Sequence, residues 1–393
     1  MTVCRSCGQA GLMPVLDLGR SPLANALLLE EDLVTPEPVF PLELVYCPHC
    51  TLAQITETVP AEQLFGEYLY FSSHSDAMLT HAQQTAEKLI VSRNLGPGSL
   101  VMEIGSNDGY LLQHFAQAGV PVLGIEPARN IAREAAAKGF RTLNAFFTAA
   151  LAETLPKADV VIGNNVIAHV ADLNGLIRGV ATVLKDEGVG QFEVAYVRDM
   201  IERCAFDQIY HEHLCYYSLT ALTHLFARHG LRVVDVELIP MQGQSLQVRV
   251  ARQGVPSRAV EQLLREELAW GVEFYQGFAQ RVERLRPKLL AVLNGFTSVA
   301  GYGAAAKATT LLNYFGLGRD RVSFVVDRSP HKQGRYIPGV RVPIVGPEQL
   351  LLRMPEATLL LAWNLAHEVM AQQAEYRRQG GRFVIPIPEP TAV

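Results

Sequence analysis

Chemistry is concentrated in FDQIYHEHLCYYS, Phe206 to Ser218. Two histidines flank one acid there, and Tyr210, Tyr216 and Tyr217 stand close by. Histidine changes charge near neutral pH, so the stretch offers an acid–base site with phenol donors around it. A metal reading is weaker, because the helical zinc motif H-E-x-x-H needs its ligands four residues apart. His211 and His213 alternate along a segment read as extended, which leaves one of them to point elsewhere. Histidine and tyrosine satisfied in an ordinary core are the competing reading.

A second cluster is made of thiols. Four of the six cysteines form two C-x-x-C pairs, Cys4 with Cys7 and Cys47 with Cys50. This spacing aims two sulfurs at one point, and two such knuckles supply four thiolates to a tetrahedral Zn²⁺. CRSCG and CPHC carry Gly and Pro where sharp turns need them. With all four positions closed by protein, the expected role is structural. Cys204 and Cys215 lack such partners and read as buried thiols.

The elements that must position these groups alternate between apolar strands and helices from Ser99 onward. SLVMEIGSNDGYLLQHFAQAG and VPVLGIEPARNIAREAAAKG are strand–turn–helix units, and ADVVIGNNVIAHVADLNG repeats the theme. That alternation predicts a parallel, doubly wound sheet, whose ligands bind at the carboxyl ends of the strands. The first turn, EIGSNDG, is not G-x-G-x-x-G. Glu103 precedes it, Gly105 and Gly109 let backbone approach a ligand, and Asn107 lies between them. Asp108 disfavours a diphosphate at this helix start, whereas a ligand carrying an ammonium group fits. Glu126 ends the next strand, where a ribose diol is held. These features resemble the class I S-adenosylmethionine-dependent methyltransferases. Asn164 and Asn165 close the fourth strand, where the methionine part of that cofactor passes. Phe146 and Phe147 follow the third strand and are candidates to flank adenine or to pack in the core.

A helical stretch is expected from roughly Arg258 to Asn294, and then a second strand–turn–helix unit, TSVAGYGAAAKATTLLNYFG. Gly301, Gly303 and Ala306 with Asp327 make a fair dinucleotide fingerprint. An NAD-dependent oxidoreductase is therefore the alternative function. Lys307, Arg328, His331, Lys332 and Arg335 suit an anionic phosphate at least as well.

The composition fits these readings. The chain has 393 residues, 49% apolar and 19% charged, enough for two or three domains with large cores. A net charge of -5 argues against a general nucleic-acid binder. No apolar run reaches the roughly 20 residues that span a bilayer, and no signal peptide is visible, so the cytoplasm is expected.

Over nearly its full length the chain resembles the sugar nucleotide C-methyltransferases of deoxysugar pathways. The resemblance rests on the two knuckles, YFSSHSD, EIGSNDGYLL, GIEPARNIA, NNVIAHVADLN, YHEHLCYYS, GYGAAAKATTLLNY and VDRSPHKQGRYIPG, in that order. It implies an α/β monomer of three parts: a zinc-binding module over residues 1–75, a class I methyltransferase core over 76–252 and a Rossmann-like sugar-nucleotide domain over 253–393. It implies methyl transfer from S-adenosylmethionine to C-3 of a dTDP-4-keto-deoxysugar, with inversion. His213 would be the base, with Tyr210, Glu212 and His169 orienting it or steadying the enolate. The cofactor would meet Glu103, Gly105, Asn107, Gly109, Glu126, Phe147, Asn164 and Asn165. The substrate would meet Tyr70 (or Tyr68), Ser73, Tyr216, Gly303, Lys307, Asn313, Lys332 and Arg335.

Overall fold

The computed structural model of the chain describes residues 2–65, 71–240 and 243–393. Tyr68 and Tyr70 lie outside them. Three sheets organise the molecule. The first contains β1 (Met13–Pro22), β2 (Val39–Tyr46) and β3 (Ala53–Ile55), all antiparallel. The second contains β4 (Val101–Ile104), β5 (Val122–Ile125), β6 (Thr142–Leu143), β7 (Ala158–Asn164) and β8 (Leu184–Ala195). A two-residue strand, β9 (Cys215–Tyr216), leaves this second unit and pairs with β3, so the first sheet runs β1-β2-β3-β9. β10 (Arg232–Ile239) and β11 (Ser245–Ala251) return to the second sheet, giving the order β10-β11-β8-β7-β4-β5-β6.

Its central strands are parallel, and β4 is buried at every position, as a strand covered by helices on both faces must be. The order reverses between β4 and β7, which makes that junction the switch point where a doubly wound sheet holds its ligand. The third sheet repeats the arrangement with β12 (Val299–Tyr302), β13 (Val325–Val326), β14 (Ile344–Val345), β15 (Ala357–Leu360), β16 (Arg382–Ile385) and β17 (Thr391–Ala392). Its order is β14-β13-β12-β15-β16-β17, with the switch point between β12 and β15.

The helical stretch expected between Arg258 and Asn294 is two helices, Arg258–Leu268 and Phe278–Leu293. Gly271 (φ 55°) and Gly277 (φ 76°) take left-handed backbone between them, which a continuous helix does not allow. Trp270 stacks on Phe274 at 4.4 Å and fills the resulting bend. The first and third units also meet directly. Leu28 bridges Tyr336, Glu37 pairs with Arg341 at 3.1 Å, and Thr309 donates to the Ala24 carbonyl at 2.9 Å.

Candidate active site

The knuckles converge. All four sulfurs of Cys4, Cys7, Cys47 and Cys50 lie within 4.8 Å of one another, with Cys4–Cys50 at 3.4 Å and Cys7–Cys47 at 3.6 Å. Zn–S bonds of about 2.3 Å in a tetrahedron require sulfur separations near ~3.8 Å, so the set fits one Zn²⁺. The residue after the second cysteine is left-handed in both knuckles, Gly8 at φ 72° and Thr51 at φ 62°.

At the first switch point the turn after β4 is left-handed at Gly105 (φ 67°), Asn107 (φ 47°) and Gly109 (φ 81°). A Cβ on Gly105 would lie 2.6 Å from Val166 Cγ2, so no larger residue fits. Glu103 is fully buried, and neither of its carboxylate oxygens meets a donor among the described residues. Burial, with Glu126 and Asp108 nearby, holds its carboxyl well above the usual range. A buried acid without a partner is costly, and a cationic amino group would relieve that cost. Asp108, by contrast, is already engaged by Lys138 at 2.9 Å and by the Ser73 hydroxyl. Ser73, assigned to the substrate from sequence, therefore has its hydroxyl on the cofactor turn. Ser72 N–H donates to Asn107 Oδ1 at 2.8 Å, drawing the whole segment over that turn. Glu126 accepts from Asn107 N–H and Ala128 N–H, both at 2.9 Å. Asn164 ends β7 with a buried Oδ1 that has no donor among the described residues, and Asn165 is left-handed beside it. Phe147 is buried. Its ring lies against Gly179 in the core, and its exposed neighbour is Phe146.

The YHEH segment is a turn rather than an extended strand, because His213 N–H returns to the Tyr210 carbonyl at 2.9 Å. The turn splits the two histidines. His211 faces the first sheet, donating through Nε2 to the Pro41 carbonyl at 3.0 Å, edge-on to Phe40. His213 donates through Nδ1 to the Gln208 carbonyl at 2.9 Å, which leaves Nε2 to accept from Tyr210 OH, also at 2.9 Å. His169, from the loop after β7, lies 4.9 Å from the His213 ring and donates to the Glu212 carbonyl at 2.6 Å. The Glu212 carboxylate points away, onto Asn25 at 3.0 Å, and its burial raises its pKa. Burial pushes His213 down to about 3, with His169 and Lys307 adding to the effect, and burial pushes His169 down to about 4. Both imidazoles are neutral at pH 7. Tyr216 stands edge-on to His213 and donates to the Gln208 carbonyl at 3.3 Å.

The second switch point reaches the same segment. Gly303 is left-handed (φ 97°), and Lys332 Nζ donates to the carbonyl of its neighbour Ala304 at 2.8 Å. Arg335 donates to the His331 carbonyl at 3.1 Å. Lys307 turns the other way, onto Asn364 Oδ1 at 3.1 Å. Asn313, assigned to the substrate from sequence, has both amide hydrogens on the Thr309 and Pro338 carbonyls and locks the loop at Gly339 to its helix. Two partners escaped the sequence reading. Trp363 donates from Nε1 to Asp207 Oδ2 at 2.7 Å, with Asp207 fully buried and raised to about 6 by that burial. Their only signal was position: Trp363 and Asn364 follow the apolar run of β15, at its ligand-binding end.

This fold, with its four-thiol knuckles and its Gly-bearing switch-point turn, defines an S-adenosylmethionine-dependent methyltransferase with a structural zinc module. Comparison with known proteins narrows the class. Residues 4–65 match a zinc binding domain family, 78–236 a methyltransferase domain family and 240–388 the C-methyltransferase C-terminal domain family. The chain is 38% identical to the C-methyltransferase NovU of Streptomyces niveus over 404 positions, covering 99% of this chain and 96% of that one. It therefore belongs to the S-adenosylmethionine-dependent C-methyltransferases. A ubiquinone biosynthesis O-methyltransferase of Bartonella tribocorum is 31% identical over 26% of this chain and 47% of its own. Magnesium protoporphyrin IX methyltransferase of Synechocystis PCC 6803 covers 49% of this chain and 89% of its own, at 18% identity and a TM-score of 0.36. The NAD-dependent oxidoreductase reading of the Gly301–Ala306 turn finds no support, since that turn lies inside the region that matches the C-methyltransferase C-terminal domain.

Proposed function

We propose that the protein methylates C-3 of a dTDP-linked 4-keto-deoxysugar through an enolate, with inversion at that carbon. One observation carries the reading: the Tyr210–His213 turn is tied to both switch points. Leu214 N–H donates to the Ala168 carbonyl at 2.7 Å on the methyltransferase side, and Trp363 grips Asp207 on the other. A residue between the two sites can meet a sugar whose nucleotide rests on one sheet and a methyl donor resting on the other.

S-adenosylmethionine supplies an electrophilic methyl group, so the protein's own task is to make C-3 nucleophilic. Glu103, Gly105, Asn107, Gly109, Glu126, Asn164 and Asn165 form the cradle for the cofactor, and Phe146 in place of Phe147 is the ring available to adenine. His213 Nε2 takes the C-3 proton once Tyr210 OH turns from it to the C-4 oxygen. His169 and Glu212 hold the turn, His169 through the Glu212 carbonyl and Glu212 through Asn25. Gly303, Lys332 and Arg335 receive the nucleotide, and Tyr216 lines the sugar. The three units act as domains over residues 1–75, 76–252 and 253–393 of a cytoplasmic monomer. No helix among the described residues is long and apolar enough to cross a membrane.

The test is incubation with S-adenosylmethionine and a panel of 4-keto sugar nucleotides, read by mass for a methyl gain. In heavy water with S-adenosylhomocysteine, wild type exchanges the C-3 proton above the spontaneous rate. His213→Ala loses about 10²–10⁴-fold of that exchange while it still binds S-adenosylhomocysteine. Exchange at the wild-type rate in the variant would remove His213 from the role of base.

A further inference from the structure

We propose that Lys307 is a catalytic residue, the cation that stabilises the oxyanion at C-4 as the C-3 proton leaves, and not a ligand of the diphosphate. The inference rests on the enolate reading above. Lys307 opens the helix Ala306–Phe315. One turn on, Thr310 donates to the Ile209 carbonyl at 3.0 Å, and Tyr314 packs 5.4 Å from Phe206. Residues 307, 310 and 314 share one face of a helix, so that face lies along Phe206–Ile209, the lead-in to His213. The ammonium group of Lys307 sits 4.9 Å over the Trp363 ring, whose Nε1 holds Asp207.

Lys332 and Arg335 bond instead to Ala304 and His331, around the Gly303 turn. These two cations stand at the turn where a diphosphate would rest, and the Lys307 ammonium does not. Among the described residues the Lys307 ammonium makes one hydrogen bond, to Asn364, out of three donors. Burial favours its neutral form, and Asp207 with Asp199 opposes that. Its charge acts on His213, which it helps to keep neutral.

The chemistry needs such a group. When His213 Nε2 takes the C-3 proton, the C–H electron pair becomes the C-3–C-4 double bond, and the carbonyl π pair moves onto the C-4 oxygen. An imidazole whose basicity burial has weakened can drive that step only if the oxyanion is strongly stabilised. Lys307 Nζ–H donates to it, beside Tyr210 OH. The oxygen pair returns to the carbonyl as the C-3–C-4 π pair forms the bond to the methyl carbon, whose bond to sulfur breaks with its electrons left on that sulfur; the proton stays on His213.

The experiment uses full-length, zinc-loaded protein with Lys307→Met, Lys307→Gln and Lys307→Arg. Gln loses the charge but keeps a donor for Asn364, so it carries the test if Met unfolds. Binding of dTDP and of S-adenosylhomocysteine is measured by calorimetry. C-3 proton exchange is measured in heavy water at saturating sugar nucleotide. Met and Gln are expected to lose about 10²–10³-fold in exchange, the usual cost of an oxyanion donor, with both affinities near wild type. Arg is expected to retain part of the exchange. Weakened dTDP binding with undiminished exchange at saturation makes Lys307 a phosphate ligand and overturns the proposal. Wild-type exchange in both neutral variants overturns it too. If wild type exchanges no 4-keto sugar nucleotide, the substrate reading fails first and this proposal falls with it.

Discussion

At the turn after β4, Glu126 receives the N–H groups of Asn107 and Ala128, each at 2.9 Å. At the turn after β12, Asp327 receives those of Ala304 and Ser329, each at 2.8 Å. In both units an acid at the end of the second strand ties down the Gly-bearing turn of the first and the start of its own loop. The surroundings differ. Beneath the first turn lies Glu103, a buried acid with no donor among the described residues; at the second, Lys332 stands over the Ala304 carbonyl, 3.9 Å from Asp327. The acid that a sequence reading gives to a ribose is thus also a structural clamp. The charges around the turns differ accordingly: a buried acid at the first favours a cationic group, and Lys332 at the second favours an anionic one.

The largest effect should come from removing zinc, and it should separate the turns. The connection between β1 and β2 touches the third unit through Ala24, Leu28 and Glu37, and β3 carries β9 and the Leu214 carbonyl. The turn after β4 is held by β5, by Lys138 and by Ser72 and Ser73 at the start of the helix Asp76–Arg93. Structural zinc contributes about 10–16 kcal/mol in isolated finger peptides, so its loss unfolds the first sheet. Chelation should abolish sugar-nucleotide binding and turnover while S-adenosylhomocysteine still binds. Equal loss of both ligands would mean that the turns are not independent.

The next effect is at the glycines. Gly105→Ala puts a Cβ 2.6 Å from Val166, and Gly303→Ala puts one 2.8 Å from Ala362, both in left-handed backbone. Strain of about 1–2 kcal/mol and overpacking of about 1–3 kcal/mol apply to each. Gly105→Ala should lose S-adenosylhomocysteine and keep dTDP, and Gly303→Ala the reverse. Calorimetry with the two ligands decides it, and a variant that weakens both would break the division.

Both turns and the zinc site were legible because their signals are local: a knuckle or a Gly-bearing turn is read within a few residues. What was not legible depends on partners distant in the chain. Asn313 looked available until Pro338 took its amide, and nothing local to Asp207 announces the distant Trp363 that it holds. Phe146 and Phe147 follow a strand of two residues, too short for alternation to say which ring faces inward. The Tyr210–His213 turn was misread as extended because a polar–aromatic run carries no period that separates a turn from an edge strand.

The acids themselves give a smaller effect. Glu126→Gln and Asp327→Asn each leave one of the two backbone N–H groups they receive, the turn's or their own loop's, without an acceptor, at a cost of roughly 1–3 kcal/mol. Each should weaken only its own ligand. If Glu126→Gln binds S-adenosylhomocysteine as wild type does, the clamp is not needed for the cradle.

The smallest effect is a pH dependence that only the first turn should show. His81, on the helix Asp76–Arg93, meets Glu193 at 2.7 Å, and Gln247 lies 3.4 Å from the same oxygen. The Glu193 hydrogen bond raises the His81 pKa, burial opposes it, and the more distant Lys88 and Glu237 lower and raise it respectively. A raised pKa means that the folded state holds the proton more tightly. The stabilisation is complete below the ordinary histidine value and is lost as pH rises through the raised one. This helix begins at the Ser75 cap, directly after the Ser72 and Ser73 contacts to Asn107 and Asp108. Loosening it therefore uncovers the cofactor turn and leaves the dTDP site alone. His81→Gln keeps a donor for Glu193 and loses the charge, a difference of about 1 kcal/mol between a charged and a neutral hydrogen bond. Wild-type affinity for S-adenosylhomocysteine should fall several-fold above the histidine range, with dTDP affinity unchanged, and His81→Gln should be weaker at low pH and flat. Parallel pH curves in the two proteins would place the titrating group elsewhere and leave the helix with no electrostatic share in holding the first turn closed.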